Sequence, residues 1–217
     1  MSTKQRTRFI LVRHGETAAN REMRYIGSRD DELTDRGQQQ AQQIVAALAE
    51  LPIAAIYASP RLRTQATAQP LAARLGLSIT TADELRENAF GSWEGMSRAE
   101  VLNHSPEYAA QLQAWESDPS IAPPGGESIA AMAERVESFA QSLTARHPNQ
   151  SIVLVSHVGP IKALIAVTLG VAPGSVQRMF LDPATLSVID WSGSQRLLRL
   201  FNSHAHLGWT SARWMES

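Results

Sequence analysis

The chain reads as an α/β protein, a three-layer α/β/α sandwich on a mixed, mainly parallel sheet. Three observations predict this. Short apolar runs of strand length (FILV, IAAIYA, SIVLVS) alternate with longer stretches of helical periodicity, the order of βαβ units. The runs are apolar at nearly every position, as in strands covered on both faces. Near the end the alternation breaks: TLSVIDW and RLLRLF lie close together and are rich in β-branched and aromatic residues, which predicts an antiparallel edge.

The elements follow in order. Phe9–Val12 is a buried strand ended by charge and glycine, with Arg13 and His14 just past its carboxyl end, where open α/β sheets bind ligands. Residues 14–34, with Gly15, Asn20 and Gly27, read as a polar loop. Thr34-Asp35-Arg36-Gly37 caps a helix that places Ala41, Ile44, Val45 and Leu48 on one face and stops at Pro52. Ile53–Ala58 is the second strand. Ser59-Pro60 then predicts a helix start, with serine as N-cap and proline at the first helical position, running to about Leu75 and ended by Gly76. Leu77–Thr80 is a third short strand.

Residues 83–126 differ in texture: Gly91, Gly95, Pro106, Pro119, Pro123, Pro124, Gly125 and Gly126 punctuate short helical pieces carrying Trp93, Tyr108 and Trp115. Such a long punctuated segment predicts an insertion, or lid, over the crevice. A long helix follows, capped by Ser128 or Glu127 and reaching His147, with Ile129, Met132, Val136, Phe139 and Leu143 on one face. Ser151–Ser156 is the most apolar strand and therefore central, and His157 ends it as His14 ends the first. Gly159-Pro160 opens a helix to about Gly170. Val176–Phe201 reads as two or three strands (QRMFL, TLSVIDW, RLLRLF). The last sixteen residues, with His204, His206, Trp209 and Trp214, show no clear pattern.

Composition sets the outer bounds. At 217 residues the chain is expected to form one domain, 1–217, with the lid at about 83–126. A hydrophobic fraction of 43% and a formal net charge of −1 are those of a globular protein and argue against a nucleic-acid or membrane-surface binder. The absence of cysteine excludes disulfides, a thiol nucleophile and thiolate metal sites. The basic start, MSTKQRTRFILVRHG, has too short an apolar run for a signal peptide, and Ile161–Ala172, interrupted by Lys162 and Gly170, is too short to span a bilayer. A cytoplasmic location is expected, and a homodimer is one option for its assembly. Arginine outnumbers lysine eighteen to two, consistent with genome composition or with heat adaptation.

An imidazole beside a guanidinium at a strand end suits chemistry on phosphate. The guanidinium grips oxygens with a planar fork, and a neutral imidazole nitrogen can attack phosphorus. Four segments extend that pattern in order: LVRHGET-x-x-N, SPRLRTQATA, LRENAFGSWEGM and VSHVG. Together, from about residue 8 to 206, they resemble the histidine phosphatase superfamily, also called phosphoglycerate mutase-like. The resemblance implies a phosphomonoester hydrolase working through a phosphohistidine, with His14 as nucleophile, Arg13 and Arg63 as phosphate clamp, and His157 as a second phosphate-binding histidine. It further implies Asn20 as a loop contact to the phosphate and Glu87 as general acid. Glu84 is a competing acid outside the motif, Arg61 a solvated charge, and Glu94 part of lid packing. No cofactor and no metal are implied, because two arginines and two imidazoles supply the positive charge. The partner is a small phosphorylated metabolite, such as a sugar phosphate, phosphoserine, a phosphoglycerate-type ester or α-ribazole phosphate.

His104, His147, His204 and His206 lie outside the motifs, and the His204-x-His206 pair lacks a third ligand for a metal, so all four are expected at the surface or the substrate edge. Two other readings compete. A 2,3-bisphosphoglycerate-dependent mutase would carry a longer, arginine-rich insertion, whereas Met96–Glu127 holds Arg98 as its one arginine and no lysine. A catalytically inactive phosphate- or protein-binding module would lack part of the set Arg13, His14, Arg63, Glu87 and His157, all of which are present.

Overall fold

The computed structural model describes residues 6–209 and Ala212; Trp214 lies outside the described residues. Six strands form one mixed sheet: β1 (Thr7–Arg13), β2 (Ile53–Ala58), β3 (Ile79–Thr81), β4 (Ser151–Ser156), β5 (Leu186–Ser192) and β6 (Gln195–Ser203), in the order β3-β2-β4-β1-β5-β6. The first four strands in that order are parallel, and β5 and β6 close one edge antiparallel. The strands are apolar on both faces because both faces are covered. Phe9, Leu11, Ile152 and Leu154 face α6 (Ile129–Arg146) and α7 (Val158–Leu169). Their neighbours Ile10, Val12, Val153 and Val155 face α2 (Asp35–Leu48) and α3 (Leu62–Leu75). The expected three layers are present.

Local signals explain most boundaries. Thr34 caps α2 by accepting from the Gly37 amide, and Ser128, not Glu127, caps α6 through the Ala131 amide. Gly76 and Gly170 end α3 and α7 with φ near +65°, which glycine adopts without penalty. The 83–126 segment contains α4 (Arg98–His104) and α5 (Pro106–Ser117), with 3₁₀ turns at Asp83–Leu85 and Gly91–Trp93. It has an apolar centre of its own, in which Phe90, Trp93, Val101 and Leu112 are buried against Tyr25 and Trp115.

Several expectations are corrected. Arg13 is the last residue of β1 rather than the first beyond it, and β3 begins two residues later than predicted. The loop after β1 contains a short helix, α1 (Ala18–Arg21), capped by a Thr17–Asn20 box. Ser59 does not cap α3: the helix starts at Leu62 with Arg61 at the N-cap, and the Ser59 hydroxyl instead meets Nε2 of His157 at 2.8 Å. Helix α7 starts at Val158, with His157 at the N-cap, one residue ahead of the predicted opening. QRMFL is not a strand. Pro173–Arg178 forms a 3₁₀ turn with i→i+3 bonds at Ala172–Ser175 and Val176–Met179, and β6 takes the edge position beside β5.

His204 is not at the surface. It is 1% exposed and pairs with the equally buried Asp182, Nε2 to Oδ2 2.9 Å. His104 is exposed, whereas His147 and His206 are partly buried and bonded to Tyr57 and to the Ala184 carbonyl. Among the described residues no helix is long and apolar enough to cross a membrane.

Leu154 sits fully buried at the middle of β4 between α6 and α7. Leu154→Ala is expected to lower unfolding free energy by about 2–5 kcal/mol, read from the denaturant midpoint. A shift under about 1 kcal/mol would show that the centre of this layer lies elsewhere.

Candidate active site

The site begins with strand register. Arg13 pairs with Ser156 across β1 and β4, so the next residues, His14 and His157, leave the two strands side by side. The His14 amide donates to the Ser156 carbonyl at 3.0 Å, and the two imidazole centroids lie 5.2 Å apart. His14 Nδ1 is 2.7 Å from the Gly15 carbonyl oxygen. A carbonyl only accepts, so Nδ1 carries the proton and Nε2 keeps the lone pair. Burial, then the charges of Arg63 and Arg13, hold the His14 pKa well below the usual histidine value, leaving the ring neutral.

The turn after His14 is held by backbone contact with the start of α2. A Cβ on Gly15 would lie 2.6 Å from the Gly37 oxygen, and one on Gly37 would lie 2.3 Å from the Glu16 oxygen. Only glycine permits that approach at both positions. Side chains complete the hold: Thr67 accepts from the Gly15 amide and Gln40 from the Glu16 amide.

Arg63 lies in the first turn of α3 and is 2% exposed. Its Nη1 and Nη2 donate to carbonyls of Arg29 and Gly27, and its Nε donates to His157 Nδ1 at 3.3 Å. Because Nδ1 accepts, the proton of His157 is on Nε2 and is given to Ser59. His157 is fully buried, and its pKa is pushed well down by burial and then by Arg63, so it too is neutral. Arg13, 7% exposed, donates through Nη1 to the Leu181 carbonyl. The two cations thus reach the two imidazoles from different elements, α3 and β1.

Glu87 is 5% exposed and lines the same cavity. Its carboxyl accepts from the amides of Asn88 (2.9 Å) and Gly159 (3.1 Å). A Cβ at residue 159 would stand 2.3 Å from Glu87 Oε1, so the glycine of VSHVG makes room for the acid. Burial raises the Glu87 pKa above the ordinary carboxylate value, opposed by those two amides and by Arg63 and Arg13. Asn20 also lines the cavity, with its Oδ1 accepting from the Thr17 amide in the α1 capping box. Glu84 is exposed, and Arg61 pairs loosely with Asp30 at 4.0 Å. Glu94 binds the Gly27 and Ser28 amides, tying the 83–126 segment to the loop that carries the Arg63 contacts.

Around this centre is a cavity of about 280 Å³, lined by Tyr25, Phe90 and Trp115 of the aromatic cluster and by Ile129, Met132 and Val176. Arg13, His14, Asn20, Arg63 and Glu87 all line it, and His157 joins through Arg63 and His14. Sequence reasoning missed Ser59 as the partner of His157, although its place at the head of SPRLR was the available signal. It also missed Tyr25 and Lys162 in the cavity wall, since an aromatic in a loop and a lysine within a helix carry no motif. Among the described residues no three His, Cys, Asp or Glu side chains are placed to hold a metal ion.

Residues 9–204 match the histidine phosphatase superfamily (branch 1). The chain is 34% identical over 202 residues to phosphoserine phosphatase 1 of Hydrogenobacter thermophilus, covering 93% of this chain and 94% of that protein. It is also 34% identical over 203 residues to a bifunctional protein of Mycobacterium tuberculosis, where 93% of this chain spans only 55% of the relative's length. Among solved structures, a putative alpha-ribazole-5′-P phosphatase from Escherichia coli superposes with a TM-score of 0.83 at 31% identity, covering 92% of this chain and 97% of that one.

The electrostatics give a direct expectation. Nitrogen-15 spectra of histidine-labelled protein at pH 6 should show His14 as the neutral Nδ1–H tautomer and His157 as the neutral Nε2–H tautomer. Imidazolium signals from either ring at that pH would overturn the assignment.

Proposed function

The chain belongs to the histidine phosphatase superfamily, and on that premise we propose that it hydrolyses a small phosphomonoester through a phosphohistidine. One observation carries the reading. A neutral imidazole with its Nε2 lone pair available stands 5.2 Å from a second imidazole, with two buried arginines and a buried carboxyl in the same cavity. The relatives named phosphoserine phosphatase and alpha-ribazole phosphatase support a phosphorylated metabolite as substrate. The absence of a membrane-spanning helix among the described residues is compatible with action in the cytoplasm.

In the first half-reaction His14 Nε2 attacks phosphorus, a P–N bond forms and the P–O bond to the leaving group breaks. Glu87 gives its proton to the leaving oxygen. The raised pKa favours the protonated form this requires, and a phosphate dianion beside it raises it further. Arg13 and Arg63 stabilise charge spreading over the equatorial oxygens, and His157, which meets Arg63 through Nδ1 and Ser59 through Nε2, holds Arg63 in place. In the second half-reaction water attacks the phosphohistidine, the P–N bond breaks and Glu87 takes the water's proton. Two arginines supply the positive charge a metal would otherwise provide, so the reaction is expected to run without one.

Phosphate release from a panel of phosphomonoesters tests the reading. Turnover should persist in EDTA and be abolished by His14→Ala with the thermal midpoint retained. A metal requirement, or an active His14→Ala protein, would refute the mechanism. Bisphosphoglycerate-dependent isomerisation of 3-phosphoglycerate with little phosphate release would make the protein a mutase, and no turnover of any ester would favour a binding module. Glu87→Gln should slow alkyl phosphates by about 10²–10⁴-fold and p-nitrophenyl phosphate far less, because a good leaving group needs little protonation. Equal loss on both would remove Glu87 from the acid role.

A further inference from the structure

The cavity wall contains one cation that the mechanism above does not use. Lys162 lies on α7, one turn beyond Gly159, whose amide holds Glu87. It lines the same cavity as Arg13, His14, Arg63 and Glu87. Among the described residues its ammonium has no hydrogen bond and no carboxylate within 4 Å, since the Glu87 carboxyl is taken up by two backbone amides instead.

The cavity lining also has apolar members, among them Met132 of α6, Val158 of α7, Val176 of the 173–178 turn and Trp115 of α5. Burial and then the Arg13 charge push the Lys162 pKa down to about 8, with Glu87 opposing them. A half-desolvated cation without a partner is unfavourable unless a ligand supplies the anion. The choice of residue adds weight. Only two of the chain's twenty basic residues are lysines, Lys4 and Lys162, so almost every other positive charge is a guanidinium.

Several other arginines are committed. Arg24, which also lines the cavity, is engaged by Glu22, Glu100 and the Gly95 carbonyl, and Arg98 is engaged by Glu116 in a two-point pair. Arg63 is fixed by loop carbonyls at the centre itself. Lys162, by contrast, lines the cavity without such a partner and is available to a second group on the substrate. A lone ammonium is a compact point charge suited to a monoanion.

Resting on the phosphatase reading, we propose that Lys162 binds a carboxylate on the leaving group, so that the preferred substrate is a small phosphomonoester of a hydroxy acid. The phosphoryl group sits at His14 and the carboxylate reaches the α7 wall.

Matched esters test this: 3-phosphoglycerate against glycerol 3-phosphate, which replaces the carboxylate with a hydroxymethyl group. Wild-type protein should prefer 3-phosphoglycerate. Lys162→Met should lower the ratio of the two kcat/KM values by about ten- to a hundredfold, mostly through KM, the range a hydrogen bond to a charged group carries. Lys162→Arg should restore most of that ratio. In wild type the KM for 3-phosphoglycerate should climb above pH 8, as Lys162 loses its proton, faster than that for glycerol 3-phosphate. The pH measurement needs no variant to fold.

Calorimetric binding of both esters to His14→Ala separates this proposal from the one it rests on. A tighter grip on 3-phosphoglycerate there supports Lys162 even if wild type turns nothing over, and that silence would count against the phosphatase reading alone. Equal affinities, or equal loss of activity on both esters in Lys162→Met, would overturn the Lys162 assignment. Binding of neither ester would overturn both proposals.

Discussion

The constraint on which the rest depends is the parallel pairing of β1 with β4. It is a backbone ladder, Arg8 with Ser151 through Arg13 with Ser156, and it delivers two histidines to adjacent strand ends. Side chains alternate across a strand, so a slip of one residue would exchange the two faces of β1. Phe9 and Leu11 would be driven toward α2 and α3, and Ile10 and Val12 toward α6 and α7. The packing of both layers therefore fixes the register. The imidazole separation follows from that, not from any direct attraction between the rings.

Given that placement, the charge distribution follows from burial. Both rings are shut away from water among guanidinium groups, and both penalties act against protonation. The same dryness acts on Glu87 in the opposite chemical sense, because its neutral form is the protonated one. One low-dielectric environment thus disfavours the charged form of each group, lowering the pKa of both imidazoles and raising that of the carboxyl. The local bonds refine the result: the Gly15 carbonyl selects the tautomer of His14, and Arg63 with Ser59 selects that of His157.

Much of this was legible in the residues. Continuous apolar runs announced doubly covered strands, and Thr34, Gly76 and Gly170 marked helix ends through known capping chemistry. Arg13, His14, Arg63, Glu87 and His157 were each named from motifs, and the fold gathers them around one cavity. What stayed hidden depends on contacts distant in sequence. Ser59 looked like a helix cap because its neighbour is proline, yet its hydroxyl reaches a residue 98 positions away. His204 looked like a tail residue, but its partner Asp182 lies on the segment that enters β5. No local pattern distinguishes a solvated histidine from a paired one. QRMFL had strand-like composition, but β5 offers one free edge and β6 occupies it.

The 83–126 segment buries Phe90, Trp93, Val101 and Leu112 in a cluster separate from the two sheet cores. It is tied to the loop below by Glu94 to Gly27 and Ser28, and by Arg24 to Gly95 and Glu100. Substitutions at Phe90, Trp93, Val101 or Leu112 therefore act first on this cluster, whereas Trp115, which packs against both this cluster and the core under α6 and α7, couples the two. The apolar contents of the 83–126 segment and the strand ends that carry His14 and His157 thus belong to different packing units, joined at Trp115.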